Sequence, residues 1–173
     1  MKFSYDLLFG LPDEKIALFC LLGAQRMEGI YDKFCKKYLG GVNANSDALR
    51  ELFELLEGGG KSRLELIYNR VYSAIPDTED YDDELADQAQ CAIISTSYCI
   101  SYLVEKNREM ARFAVEKIFD AIDVLGEDVG MFIAAEVSWC EELINDLSAA
   151  DLSDNAFVEC LVVRNLGHSI PVV

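Results

Sequence analysis

Apolar residues recur at helical spacing along almost the whole chain, and strict alternation of apolar and polar positions is nearly absent, which predicts an all-α fold. Ile16, Phe19, Cys20, Gly23, Met27, Ile30, Tyr31, Phe34 and Tyr38 fall on one face at spacings of three and four. Pro12 suits a first helical turn, with Asp13 and Glu14 at its positive end. Gly23 predicts a close helix approach, Gly29 a break into two shorter helices, and Gly40-Gly41 a stop. Ser46 is the expected cap of the next helix, whose Leu49, Leu52, Phe53 and Leu56 form an i, i+3, i+4, i+7 stripe. Asp47, Arg50, Glu51, Glu54 and Glu57 occupy its other faces. Gly58-Gly59-Gly60 reads as its end. Ser62-Arg63-Leu64-Glu65 then reads as a capping box, and Leu64, Ile67, Tyr68, Val71 and Ile75 continue a further amphipathic helix.

Pro76 stops that helix, and an acidic connector follows, Asp77-Thr78-Glu79-Asp80-Tyr81-Asp82-Asp83-Glu84. Its carboxylates stand at the start of the next helix, where the macrodipole favours them. That helix, near residues 84–106, is apolar on most faces, so it is expected at the centre of the core. Asn107 predicts the cap of a helix running to Leu125, with Gly126 as its stop. Ile133, Val137, Cys140, Ile144 and Leu147 mark a seventh segment. Phe157–Val163 fits a short eighth helix or a strand, and the tail Gly167–Val173 is expected to fray. The expectation is one domain, residues 1–173, folded as an irregular bundle of seven to eight helices.

Composition narrows the class. Of 173 residues, 51% are hydrophobic and 27% charged, a globular balance. The stretch Gln88–Val104 is 17 residues without a formal charge, yet it holds two Gln, three Ser and one Thr. That is short and polar for a bilayer span and reads as a core helix. Lys2 is the only early positive side chain and Asp6 follows it, so no signal peptide is legible. The six cysteines, at 20, 35, 91, 99, 140 and 160, form no C-x-x-C pair and sit in apolar helical patterns. They read as reduced, buried thiols of a cytoplasmic protein.

Charge divides the chain. The net charge is −16, yet residues 1–70 carry ten Lys/Arg and ten Asp/Glu. Residues 71–173 carry five basic and twenty-one acidic side chains, the whole of the imbalance. Such a surface repels phosphate backbones and anionic lipid, which argues against direct nucleic-acid or membrane binding.

Motifs for chemistry are mostly excluded. Gly60-Lys61-Ser62 resembles the end of a P-loop, but position 55 is Leu and a helix precedes the loop where a strand is needed. Counted from Asp77, the acidic connector places Tyr81 and Asp82 at the fifth and sixth positions of a calcium loop, where a ligand and a glycine belong. It reads as a solvated, helix-capping loop, and Asp77, Glu79, Asp80, Asp82, Asp83 and Glu84 are its candidate partner contacts. The only histidine is His168, which excludes Glu-x-x-His di-iron and H-E-x-x-H zinc sites and disfavours a Ser-His-Asp triad. Among 31 acids no carboxylate pair stands out for glycosidase chemistry. Cys140, beside Glu141 and Glu142, is expected to be a poor nucleophile in the core, next to a half-buried Trp139. Arg26, on an otherwise apolar helix, fits either an ion pair with an acid of the charged half or an ordinary surface position. No catalytic residue, metal ligand or cofactor is assigned.

At Gln25-Arg26-Met27, with Tyr31, Phe34 and Cys35, then Ala74-Ile75-Pro76 through Tyr81-Asp82, and Ala92 and Ser95, the chain resembles the YjaG-like bacterial proteins of domain-of-unknown-function family 416. The resemblance runs from about Leu11 to Leu125 and weakens beyond, where the chain is shorter than those proteins. It implies an all-helical, cytosolic bacterial protein and no particular reaction.

Three functions follow as expectations. The first is a non-enzymatic helical protein acting through protein–protein contacts, as a homodimer joined through its charge-neutral first 70 residues. The second is an acidic inhibitor or nucleic-acid mimic that binds a basic protein. The third is an enzyme with a carboxylate-lined helical pocket.

Overall fold

The computed structural model describes residues 3–56, 60–126 and 129–173. Among these the chain is all-α, with nine α-helices, one short 3-10 turn at Thr78–Asp80 and no strand. The five-residue α1 (Tyr5–Phe9) adds a helix to the eight that periodicity marks; Leu8 anchors it in the core. α2 (Asp13–Arg26) and α3 (Glu28–Tyr38) divide the first long pattern. The break falls at Met27 rather than Gly29. Met27 has φ −95° and ψ 0° with a fully buried side chain, so an anchored residue, not a glycine, carries the bend.

Two caps lie elsewhere than expected. α4 (Ala44–Leu56) starts before Ser46, and the Asn43 Oδ1 accepts from the Ser46 N–H at 2.9 Å. α5 (Lys61–Ser73) starts one residue before Ser62, so the capping box does not form. The expected stop at Gly58-Gly59, with Glu57 before it, lies outside the described residues. α6 (Glu84–Glu105) is capped by Asp83 and α7 (Arg108–Asp123) by Asn107, whose Oδ1 accepts from Glu109 N at 3.1 Å. α8 spans Val129–Ala149. Residues 157–163 are helical, within α9 (Asn155–Leu166), where the Asp154 carboxylate accepts from both Ala156 N and Phe157 N.

α6 is the central helix, as its apolar pattern predicts. It packs on α2, α3, α4, α5 and α7 and buries Leu85, Ala89, Ile93, Ile100 and Tyr102. Its polar core residues find backbone acceptors: Ser95 Oγ donates to Ala114 O at 2.8 Å, and Gln88 Nε2 to Ala121 O at 2.9 Å. These bonds remove most of the desolvation cost of burying them. Gly23 marks the close approach of α2 to α7, because a Cβ there would lie 2.7 Å from the Ile118 Cδ1. Among the described residues no helix is long and apolar enough to cross a membrane.

The C-terminal tail does not fray. Ile170 is buried, and its N–H donates to Arg26 O at 3.0 Å. The Gln88 amide grips the tail at both ends, donating to Pro171 O at 3.2 Å and accepting from Val173 N at 3.1 Å. An apolar anchor with paired backbone groups on either side outweighs the ordering entropy of a short segment.

Candidate functional site

α4 and α9 each pack on α2 and little on each other, so they stand over it as two walls. Between them lies a half-open groove of about 1030 Å³. Its apolar surface comes from Leu18 of α2, Leu49, Phe53 and Leu56 of α4, Leu152, and Val158, Val162 and Val163 of α9. α4 contributes here because its stripe is wider than one contact: Leu49 and Leu52 are buried, while Phe53 and Leu56 are only partly covered. α9 contributes because it is apolar beyond the face it packs, leaving Val163 71% exposed. The rim is acidic. Among the described residues Glu14, Glu28, Glu54 and Glu159 line it, with Arg50 the one base. Arg50 is itself engaged by Asp47 at 2.8 Å, and Glu54 by Arg63 at 3.2 Å. Gln25 also lines the groove, its Oε1 accepting from the buried Asn165 Nδ2 at 3.0 Å. A smaller cavity of about 390 Å³ lies between α5 and α6, lined by Glu65, Tyr68, Ile100 and Glu105 among others.

The acidic connector is distributed differently from a binding loop. Asp77 caps the 3-10 turn through Glu79 N at 3.2 Å. Asp83 caps α6 through Leu85 N at 3.1 Å and also takes the Lys37 ammonium at 2.5 Å and the Tyr38 hydroxyl. Those three donors hold its carboxyl down to about 2. Tyr81 packs against Phe34 and Tyr38 with centroids 5.1 and 4.8 Å apart. Glu79, Asp80, Asp82 and Glu84 are exposed. The connector thus contributes two capping residues and four solvated acids. Among the described residues no group of three or more His, Cys, Asp or Glu is placed to hold a metal ion.

Arg26 resolves as an ion pair with an acid of the charged half. It is buried on α2 and forms a bidentate pair with the buried Glu136 of α8, Nη1 donating to Oε1 at 2.7 Å and Nη2 to Oε2. Its Nε donates to His168 O at 2.6 Å. The His168 ring stacks on Trp139 at 3.7 Å, and the guanidinium groups of Arg26 and Arg164 lie 5.7 and 5.0 Å from the Trp139 ring. Trp139 is therefore buried, at 5% exposure, rather than half-buried. The Cys140 thiol donates to Glu136 Oε1 at 3.2 Å. Burial first, and the Glu136 carboxylate second, push that thiol well above its ordinary range. The adjacent Glu141 adds only a minor push. A buried, protonated thiol with its acceptor already paired is a packing group. The cluster joins α2, α8 and the tail.

Two thiols depart from the burial expected of all six. Cys160 is exposed and Cys91 half-buried; all six are free. Comparisons with protein-family models, with curated proteins and with solved structures each found no match to this chain.

Proposed function

We propose that this protein is a non-enzymatic helical binding protein that engages another polypeptide through the groove between α2, α4 and α9. The observation that carries the reading is the groove itself, a half-open apolar surface bounded by two helices of similar length, α4 with 13 residues and α9 with 12. Partly covered Val158 and Val162, one turn apart on α9, together with exposed Val163 and partly covered Phe53 of α4, present an apolar surface of the kind that receives an amphipathic helix. α2 and α4 belong to the charge-balanced first 70 residues. A homodimer joined through that half would draw on α2 and α4 but not on α9, which lies in the acidic half. The resemblance to the YjaG-like family is compatible with this reading, since it implies no reaction.

A photo-crosslinking residue at Val163 should capture a polypeptide in cells, and the same residue at Leu66 on α5 should not. The two positions are matched, each 71% exposed. Equal yields from both would sink the reading.

A further inference from the structure

The groove's surroundings differ in charge from its floor. Four carboxylates, Glu14, Glu28, Glu54 and Glu159, face one guanidinium, Arg50, which Asp47 already engages. Of the four, only Glu54 has a cationic partner among the described residues, Arg63. The walls run about 18 Å, from 12 residues at 1.5 Å rise each, enough for about three turns of a bound helix.

We infer that the occupant of this groove is a basic amphipathic helix of a different protein, with apolar residues at i, i+3 or i+4, and i+7 on the floor and Lys or Arg side chains against the carboxylate rim. The inference rests on the groove being a polypeptide-binding surface and adds the chemistry of what it takes. Two observations favour this occupant. The rim charge is complementary to a cationic flank and opposes an anionic one. A second copy of the chain would instead bring another net charge of −16 against the first. Two cationic residues of this chain's own partly exposed α5, Arg63 and Arg70, are committed to Glu54 and Glu51.

The test uses two fluorescent peptides of about 18 residues with identical leucines at helical spacing, one flanked by Lys and Arg and one by Gln. Each is titrated by anisotropy against the full chain at about 50 mM and about 300 mM salt. The basic peptide is expected to bind at least about tenfold more tightly than the Gln peptide and to weaken about tenfold at high salt. Val158→Ser/Val163→Ser should abolish binding with unchanged helical circular dichroism, and Glu14→Gln/Glu28→Gln/Glu159→Gln should erase the preference for the basic peptide. A control, Glu79→Gln/Asp80→Gln/Asp82→Gln in the exposed connector, should bind as the wild type does. Equal affinity for both peptides overturns the inference and leaves the groove reading standing. So does a dimer in sedimentation that the Val158→Ser/Val163→Ser variant dissociates. Loss of binding in the connector variant but not the groove variants overturns it as diffuse attraction to an acidic surface. No binding of either peptide overturns it as well, and cross-linking at Val163 then decides the groove reading separately.

Discussion

Replacing Glu136 by glutamine tests whether the Arg26 pair is a structural joint. The substitution keeps shape and one oxygen acceptor but removes the charge that the buried guanidinium faces. Arg26 and Glu136 are 5% and 2% exposed, so solvent cannot take over. Breaking one partner of a buried pair costs about 3–5 kcal/mol, because the remaining charge stays desolvated. The Arg26 Nε bond to His168 O persists and the introduced amide still accepts one hydrogen bond, so the lower end, about 3 kcal/mol, is expected. A domain of this size is stable by about 5–15 kcal/mol, so the variant folds but visibly weakens. In urea, with a slope of about 2 kcal/mol/M, the midpoint should fall by about 1.5 M at unchanged slope. The double variant Arg26→Met/Glu136→Leu removes both charges at once and leaves His168 O short of a donor and the Cys140 thiol, a weak donor, short of its acceptor. It should lie within about 2 kcal/mol of the wild type, better than Glu136→Gln alone. A loss under about 1 kcal/mol for Glu136→Gln, or a double variant as costly as the two singles added, would refute the reasoning.

Three further outcomes are expected. At mildly alkaline pH, iodoacetamide should modify Cys160 first and Cys91 more slowly, because burial pushes the Cys91 thiol up to about 11; peptide mass spectrometry showing Cys20, Cys99 or Cys140 reacting as fast as Cys160 would contradict the burial. Lys106 closes α6 with φ +54°, a conformation glycine adopts freely, so Lys106→Gly should raise stability by about 0.5–1 kcal/mol after losing the Tyr102 contact; a drop in melting temperature would speak against it. The Asp83 carboxyl lies at about 2 when folded and near 3.9 when unfolded, so its stabilisation is complete above the unfolded value and is lost as pH falls through the folded one. Asp83→Asn should therefore flatten the acid limb of a stability profile between those values, and an unchanged limb would remove Asp83 from the account.

What the sequence made legible was local. The α4 stripe, the apolar length of α6 and the Asn107 cap are written in neighbouring residues, and the helices formed where those residues lie. Caps slipped by three residues at Ser46 and by two at Ser62, because competent residues stood near the true start and tertiary packing chose between them. Arg26 fitted an ion pair and a surface position equally well in the sequence, and its partner Glu136 is 110 positions away and one of 31 acids. The groove was less legible still. Its lining is ordinary core composition, and only the excess apolar face of α9, where Val162 is followed by exposed Val163, signals a surface left uncovered. The connector, by contrast, stood out in the sequence for a charge run that capping and solvation account for.

The docking of the tail explains how α9 can serve as a wall at all. α9 rests chiefly on α2, and a helix of 12 residues held along one line of contact would be free to rock. Its C-terminal end is fixed by polar bonds that apolar packing could not replace. Asn165 is fully buried and donates to Leu22 O at 2.8 Å and to Gln25 Oε1 at 3.0 Å, while Arg164 engages Asp146 of α8. Immediately beyond, His168 O and Ile170 N bind Arg26, so the chain leaving α9 is tied to the same helix that forms the groove's base. Gln25 lines the groove and accepts from Asn165; its neighbour Arg26 holds the tail and Glu136. Two adjacent residues of α2 thus fix the wall from the groove side and from the core side. The position of α9 on α2 is set by hydrogen bonds with directional requirements, and with α4 packed on the same helix it defines the width a bound helix must match.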